Sequence, residues 1–436
     1  MSQVQQLVPK DARYEHWRWQ IFGVTWLAYA GFYLTRKSFA VAKGEILADP
    51  NIIISKGMMG VIEAAYLLAY AIGQFVWGIS GDRFGTRRVV LMGMLASIAV
   101  GFVLGVSSIL LLFGVFLFIQ GLCQSTGWAP LTKNVGDWFS RKERGRAYGW
   151  WCTNYAIGGL VASAIAGYSA DYFANWRFAF FVPAGVLFGI WLLFLTLQRN
   201  RPEDVGLPSI EEYHGEPTPV LEASDDPASE KEGSREAVFR VLKNPMVLRL
   251  GAVYFFLKPT RYAILLWGPL FVTEKLGTGI GDSALISALF EAAGPLGVLF
   301  AGYASDKLFG ARRMPICVIF LLLLSAIMFS SEILTNARSI WMMGTLLFAI
   351  GFLLFGPDSI VVATSPVDFG TKKGASTAVG LVNGFGSIGA ILGGLLPGFI
   401  SQRVVFYIFA TFILVAALLL LPKWNAVPEA PAPQKS

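Results

Sequence analysis

The chain has 436 residues, of which 55% are hydrophobic and 14% charged, whereas a typical soluble protein has roughly 25% charged residues. Its net charge of +7 lies in short segments between apolar runs, which argues against the basic patch of a nucleic-acid-binding protein. The only histidines, His16 and His214, and the three cysteines lack metal-ligand or redox spacing. The composition therefore indicates a polytopic membrane protein, and we expect no enzyme, no cofactor, no metal site and no nucleic-acid partner.

Twelve apolar stretches follow one another along the chain, each long enough to cross a bilayer, for which about 20 residues are needed. They lie at 18–42, 56–80, 89–107, 109–137, 146–172, 177–198, 246–275, 283–305, 313–334, 339–364, 374–400 and 404–422. We number them spans 1 to 12. The predicted fold class is an all-α membrane protein with twelve transmembrane helices.

Basic residues predict the orientation of these spans. They concentrate between spans 2 and 3, 4 and 5, 8 and 9, and 10 and 11, whereas the alternate connections carry almost none. Because basic loops stay on the cytoplasmic side, we expect both termini to be cytoplasmic. We expect the membrane to be a plasma membrane, specifically a bacterial inner membrane.

A polar, acidic and proline-rich segment, "RPEDVGLPSIEEYHGEPTPVLEASDDPASEKEGSRE", separates spans 6 and 7. Such a composition cannot bury a core, so we expect a flexible linker. The predicted organisation is a six-helix half at 1–198, a cytoplasmic linker at 199–245, a second six-helix half at 246–422 and a tail at 423–436.

The two halves repeat each other. "GISGDRFGTRRVV" ends span 2 and "GYASDKLFGARRMP" ends span 8, with Asp82 and Asp306 224 positions apart. Two such halves resemble the major facilitator superfamily, whose gating motif the first segment matches in full. The predicted gating residues are Gly78, Asp82, Arg83, Gly85, Arg87, Arg88 and, in the second half, Asp306.

Two arginines interrupt apolar helices at repeat-equivalent positions, Arg36 in span 1 and Arg261 in span 7, 225 positions apart. Each costs at least about 2.5–3.5 kcal/mol in the bilayer, so each should face a polar cavity. Two guanidinium groups on related helices are suited to clamp a dianion, since each matches phosphate or carboxylate oxygens bidentately. The alternative is a structural ion pair with a membrane acid, for which the candidates are Glu63, Glu291 and Asp358.

Helical spacing puts Tyr29 and Tyr33 on the face of Arg36 and Lys258 on the face of Arg261, and it groups Tyr70 and Gln74 on one face of span 2. Positions three, four or seven residues apart share a helix face, and buried tyrosine hydroxyls usually find polar partners. The candidates on these faces are Tyr29, Tyr33, Tyr70, Gln74 and Lys258.

Nearly the whole chain resembles the organophosphate:phosphate antiporter family of this superfamily. The resemblance rests on stretches such as "YLTRKSFAVAKGEIL", "TGWAPLTKNVGDWFSRKERGRA" and "YAILLWGPLF". It implies that Arg36 and Arg261 bind a phosphoryl group and that Tyr29, Tyr33 and Tyr70 line the pocket.

The chain also departs from the pattern of this family at four pocket positions. Gln74 occupies a position where the family commonly has a lysine, Tyr155 one where it commonly has a histidine, and Lys258 one where relatives have a tyrosine. Leu266 occupies the position of an acid that, in some members, pairs with the lysine equivalent to Lys37. One cation has thus moved from the first half to the second, so the substrate of any one relative should not be assumed.

The function that these residues predict is exchange of an organic phosphate, in particular a sugar phosphate, for inorganic phosphate by a monomeric carrier. One alternative is proton-driven symport of another organic anion, with Glu63, Glu291 or Asp358 carrying protons. A second alternative is a sugar-phosphate sensor that does not transport and that acts with a membrane kinase.

Overall fold

The computed structural model describes residues 11–140, 143, 147, 150–214, 243–310, 312–335, 339–365 and 375–426. For residues 75, 78, 79, 81–83, 211, 306, 363, 364 and 375–380 it describes the backbone alone. The side chains of the predicted gating residues Asp82, Arg83 and Asp306 therefore lie outside the described part. Linker residues 215–242 and tail residues 427–436 lie outside it altogether.

Helices supply all twelve predicted spans, and the described residues contain no β-strand. Spans 1 to 6 are Ala12–Ala48, Lys56–Phe84, Thr86–Val106, Leu110–Gln124 continued by Trp128–Trp138, Thr153–Tyr172, and Phe178–Leu197. Spans 7 to 12 are Pro245–Leu276, Ile280–Ala292 continued by Gly294–Leu308, Arg313–Phe329, Ile340–Ser359 continued by a π-helical turn at Ile360–Thr364, Ala375–Phe399, and Gln402–Leu420. Seven of these segments are long and apolar enough to cross a membrane by length and composition alone.

The described residues fall into two compact units, Met1–Phe39 with Leu68–Ala223 and Ala40–Leu67 with Ser224–Ser436. This division differs from the six-helix halves at one place, because residues 40–67 join the second unit. The contacts explain the difference: Lys43 donates a hydrogen bond to the Leu266 carbonyl of span 7 (2.7 Å), and Lys56 forms an ion pair with Glu274.

The first unit packs around large aromatic side chains, two of which donate hydrogen bonds to neighbouring helices. Phe32, Trp138 and Trp151 are fully buried. The Trp151 indole donates to Thr25 Oγ1 of span 1 (3.2 Å), and the Trp191 indole of span 6 donates to the Leu91 carbonyl of span 3 (3.0 Å). These two bonds satisfy the N–H groups of Trp151 and Trp191, whereas the Trp138 indole N–H is buried without a hydrogen-bond partner among the described residues.

The second unit contains a close contact between the backbones of spans 7 and 11. A Cβ atom on Gly389 would lie 2.2 Å from the Phe255 carbonyl oxygen, so only glycine fits there. Small residues allow such close helix packing in membranes, where dispersion and hydrogen bonds stabilise association. Span 7 also contains Pro259 and Pro269, each of which removes one backbone donor from the helix.

The repeat is visible in the backbone of the two basic turns. Gly85 follows span 2 with φ +83°, and Gly310 follows span 8 with φ +57°; the two residues are 225 positions apart, like the two arginines. Positive φ favours glycine, which explains why both turns contain one.

The expectation of a flexible linker does not hold for residues 199–214. Pro202–Val205 forms a 3₁₀ turn and Ile210–His214 a short helix. Tyr213 stacks on Tyr14 with ring centroids 3.9 Å apart, the Tyr14 hydroxyl donates to the Pro208 carbonyl (3.2 Å), and Arg13 donates to the Val205 carbonyl (3.0 Å). Burial raises the pKa of the Tyr213 hydroxyl, which accepts a hydrogen bond from the Asp11 amide. Aromatic stacking on span 1 therefore orders a segment whose polar composition indicated disorder.

Candidate functional site

Arg36 lies half-buried in span 1 and is oriented by span 4. Its Nε donates to Gln124 Oε1 at 3.2 Å. Gln124 is fully buried, and its amide nitrogen donates to Thr35 Oγ1 (2.8 Å) and Ser97 Oγ (3.2 Å). These three bonds fix the amide oxygen toward the arginine. Gln124 was not predicted from the sequence; the available signal was the pair of glutamines, Gln120 and Gln124, that interrupts the apolar run "GVFLFIQGLCQ".

Two of the predicted tyrosines lie against the Arg36 guanidinium. Its central carbon is 4.5 Å from the ring centroid of Tyr33 and 5.2 Å from that of Tyr70, within the range of cation–π attraction. Tyr29 is one step further away, 6.0 Å from Tyr33 and 5.6 Å from Trp151 between ring centroids. The structure thus brings Tyr33 and Tyr70 to Arg36, and it places Tyr29 in the adjoining aromatic cluster.

Gln74 and Tyr155 are less directly connected to this group. Gln74 is half-buried one turn beyond Tyr70, and Tyr155 is half-buried against the aromatic core of the first unit. Neither is among the contacts described above for Arg36, and their assignment to the pocket stays a prediction.

Arg261 forms an ion pair in the second unit. Its Nη1 donates to Asp358 Oδ2 of span 10 at 2.9 Å, and its guanidinium lies 4.7 Å from the Phe355 ring centroid. The Arg261 side chain is 22% exposed and that of Asp358 is 7% exposed. Span 10 is the fourth span of its half, as span 4 is of the first, so each arginine is oriented by an equivalent helix.

Lys258 is buried one turn before Arg261 and has partners on span 11. Its Nζ donates to Asn383 Oδ1 (2.9 Å) and Ser387 Oγ (3.1 Å), with the Tyr254 ring 5.0 Å away. Asn383 and Ser387 were not predicted from the sequence, although their spacing of four residues puts them on one face of span 11.

The three membrane acids lie in different environments. Asp358 pairs with Arg261, as the ion-pair alternative anticipated for one arginine, and Glu291 is buried in span 8. Glu63 was another candidate partner for an arginine in that alternative, but its Oε1 accepts a hydrogen bond from Lys43 Nζ at 2.5 Å instead.

Lys43 completes a buried cluster that was not predicted from the sequence. Besides Glu63, its ammonium binds the Leu266 carbonyl (2.7 Å) and lies 4.0 Å from the Trp267 ring centroid. The Lys43 side chain is 0% exposed and that of Glu63 is 4% exposed. Lys43 was missed because span 1 was predicted to end at residue 42. The available signal was its spacing, since Lys43 follows Arg36 by seven residues and both therefore lie on one helix face.

The described part of the gating motif joins the turn after span 2 to the end of span 6. The Arg87 amide donates to Asn200 Oδ1 (2.9 Å), and Arg87 Nη2 donates to the Leu195 carbonyl (2.5 Å). A Cβ on Gly85 would approach Asn200 Nδ2 to 3.0 Å, so the glycine also makes room for this contact. The next residue, Arg88, has an exposed side chain.

A family model described as "Major Facilitator Superfamily" matches residues 25–374. The chain belongs to the major facilitator superfamily. Its relatives place it more narrowly in the organophosphate:phosphate antiporter family, which confirms the predicted family. The superfamily membership also confirms the predicted fold class of two six-helix halves and the expectation of a transporter rather than an enzyme.

Three curated relatives from this part of the superfamily match along nearly their whole length. The "Probable hexose phosphate transport protein" of Chlamydia pneumoniae is 31% identical over 97% of this chain and 94% of its own. The "Membrane sensor protein UhpC" of Escherichia coli is 30% identical over 95% of this chain and 94% of its own. The "Glycerol-3-phosphate transporter" of Bacillus subtilis is 30% identical, with coverage of 95% and 94%.

The superfamily fold is supported independently by solved structures. A bacterial homolog of the human lysosomal transporter Spinster superposes with a TM-score of 0.72 over 95% of this chain and 99% of its own, at 16% sequence identity. At that identity the likeness concerns the fold alone.

Proposed function

We propose that this protein exchanges a phosphate ester, in particular a sugar phosphate, for inorganic phosphate by alternating access. The observation that carries the proposal is the matched pair of arginines, each oriented by a side chain from the fourth span of its own half. Arg36 is held by the amide of Gln124 and Arg261 by the carboxylate of Asp358. Hexose phosphates and glycerol 3-phosphate are named as cargo for two relatives, which supports phosphate esters as the substrate class.

The proposed site has charges that suit a divalent anion. Arg36, Lys258 and Arg261 are cations and Asp358 is an acid, which leaves a formal excess of two positive charges. Guanidinium groups bind phosphate oxygens in pairs, and a bound dianion would neutralise the cations as the halves close. An empty site would keep their mutual repulsion, which favours obligatory exchange over net uptake.

The proposal includes a monomeric carrier in a bacterial inner membrane with both termini in the cytoplasm. The distribution of Lys and Arg between the spans supports this orientation. Labelling of single introduced cysteines with a membrane-impermeant reagent in whole cells tests it.

Counterflow in proteoliposomes tests the transport function. Vesicles loaded with phosphate should accumulate labelled phosphate or a labelled sugar phosphate, and vesicles without internal phosphate should not. Arg36→Lys and Arg261→Lys should each lower exchange about 10- to 100-fold, because a hydrogen bond to a charged group contributes about 1.5–3 kcal/mol. Arg403→Lys, an exposed arginine at the start of span 12, is the matched control. Near-normal exchange in either pocket variant refutes the proposal.

The similarity to the sensor protein UhpC favours a sugar-phosphate sensor as the second candidate function. A sensor would bind the phosphate ester through the same arginines without moving it. Saturable binding in detergent together with no counterflow in vesicles would identify this function. Uptake that an imposed proton gradient drives without internal phosphate would instead identify a symporter.

A further inference from the structure

A cavity of about 580 Å³ lies in the first unit. It is formed where the end of span 2 and the start of span 3 meet the end of span 6. Its lining consists of Phe84, Arg87, Arg88, Leu91, Leu195 and Asn200. None of these residues takes part in the proposed phosphate site.

One wall of the cavity continues the lipid-facing surface of span 3. Arg88, Leu91, Met92 and Leu95 recur at helical spacing on one face, and Met92 and Leu95 are 65% and 47% exposed. In a membrane protein, exposed apolar side chains of this size contact lipid chains. Arg88 ends this face at the basic turn, so in the proposed orientation its guanidinium would lie at the level of the headgroups. Phe84, which is 52% exposed, adds an apolar side to the same opening.

The inner wall presents a second cation with remaining hydrogen-bonding capacity. Arg87 is half-buried, and its Nη2 donates to the Leu195 carbonyl. Its Nε is buried without a hydrogen-bond partner among the residues that the structure describes. Two adjacent guanidinium groups above leucine side chains form a site that is basic at one end and apolar at the other.

We propose that this cavity binds an anionic phospholipid of the adjacent leaflet, with the headgroup phosphate at Arg88 and Arg87 and the first acyl carbons along Leu91 and Leu195. Basic pockets between transmembrane helices bind anionic headgroups in this manner. A lipid fits better than a soluble anion because the walls are apolar and continuous with the bilayer-facing surface. In the proposed orientation this leaflet is the cytoplasmic one, which is rich in anionic lipid.

Native mass spectrometry of the full chain tests the proposal. The protein is released from membranes of phosphatidylcholine with a minor fraction of phosphatidylglycerol, and retained lipids are counted. We expect one preferentially retained phosphatidylglycerol. Arg88→Gln should lower its retention about fivefold, the factor that one surface cation contributes, whereas Arg88→Lys should retain it. Arg312→Gln in the equivalent turn of the second half, where Arg312 bonds Phe309 and Asn425, is the matched control and should behave as wild type.

A second variant and a competition experiment distinguish a bound lipid from a soluble anion. Leu195→Trp narrows the apolar part of the cavity while keeping both arginines and the backbone carbonyl of residue 195, so it should also lower preferential retention. Excess inorganic phosphate in the buffer should leave the retained lipid in place. Wild-type retention in Arg88→Gln or Leu195→Trp, or displacement by inorganic phosphate, overturns the proposal.

Discussion

The buried pair of Lys43 and Glu63 makes a quantitative prediction about stability. Removing one partner of a buried ion pair leaves the other charge uncompensated and costs about 3–5 kcal/mol. We therefore expect Lys43→Met and Glu63→Leu each to lower the free energy of unfolding by about that amount. In the double variant no buried charge remains. The main loss is then the hydrogen bond from the Lys43 ammonium to the Leu266 carbonyl, and a hydrogen bond to a charged group contributes about 1.5–3 kcal/mol.

A double-mutant cycle measures this coupling. Unfolding is followed by tryptophan fluorescence as SDS is titrated into detergent micelles of each variant. The double variant should be more stable than either single variant, which requires a coupling energy of several kcal/mol. The pair of Lys56 and Glu274 in the same unit is the matched control. Its side chains are 39% and 34% exposed, so breaking it should cost no more than about 1 kcal/mol.

The reasoning fails if the two single losses add in the double variant, because the residues would then act independently. It also fails if Lys43→Met costs no more than Lys56→Met. Either result would mean that water reaches the Lys43 ammonium and that its burial does not control the energetics.

Two further predictions concern packing. Gly389→Val places side-chain atoms against the Phe255 carbonyl and should lower the midpoint of thermal unfolding in detergent, since overpacking costs about 1–3 kcal/mol; an unchanged midpoint would contradict the close contact. Tyr213→Ala removes the ring that stacks on Tyr14 and should make the chain between residues 199 and 214 cleavable by trypsin, whereas Tyr213→Phe keeps the stacking. Equal cleavage rates in these two variants would count against stacking as the cause of order.

The fold class was predictable from the sequence because the internal repeat carries that information. A spacing of 225 positions relates Arg36 to Arg261 in the sequence itself, and Gly85 and Gly310 show the same spacing in their backbone conformation. Local patterns also placed Lys258 on the face of Arg261. These features depend on periodicity and are therefore readable from one chain.

The predictions failed where a side chain finds its partner far along the sequence. Gln124 reaches Arg36 across 88 positions, and Tyr14 reaches Pro208 across 194. Lys43 reaches Leu266 across 223. No local pattern encodes such contacts, and composition alone suggested disorder at residues 199–214. Lys43 was missed likewise, because the predicted span ended at residue 42 and nothing local indicated that Glu63 pairs with this lysine.

The contact between the Gly389 backbone and Phe255 has a consequence for how selectivity depends on direction. Spans 7 and 11 interlock so tightly that they should move as one rigid body whenever the carrier reorients. Lys258, Asn383 and Ser387 would then keep the same mutual geometry whichever side of the membrane they face. The part of substrate selectivity that depends on these three residues should therefore be the same for import and for export.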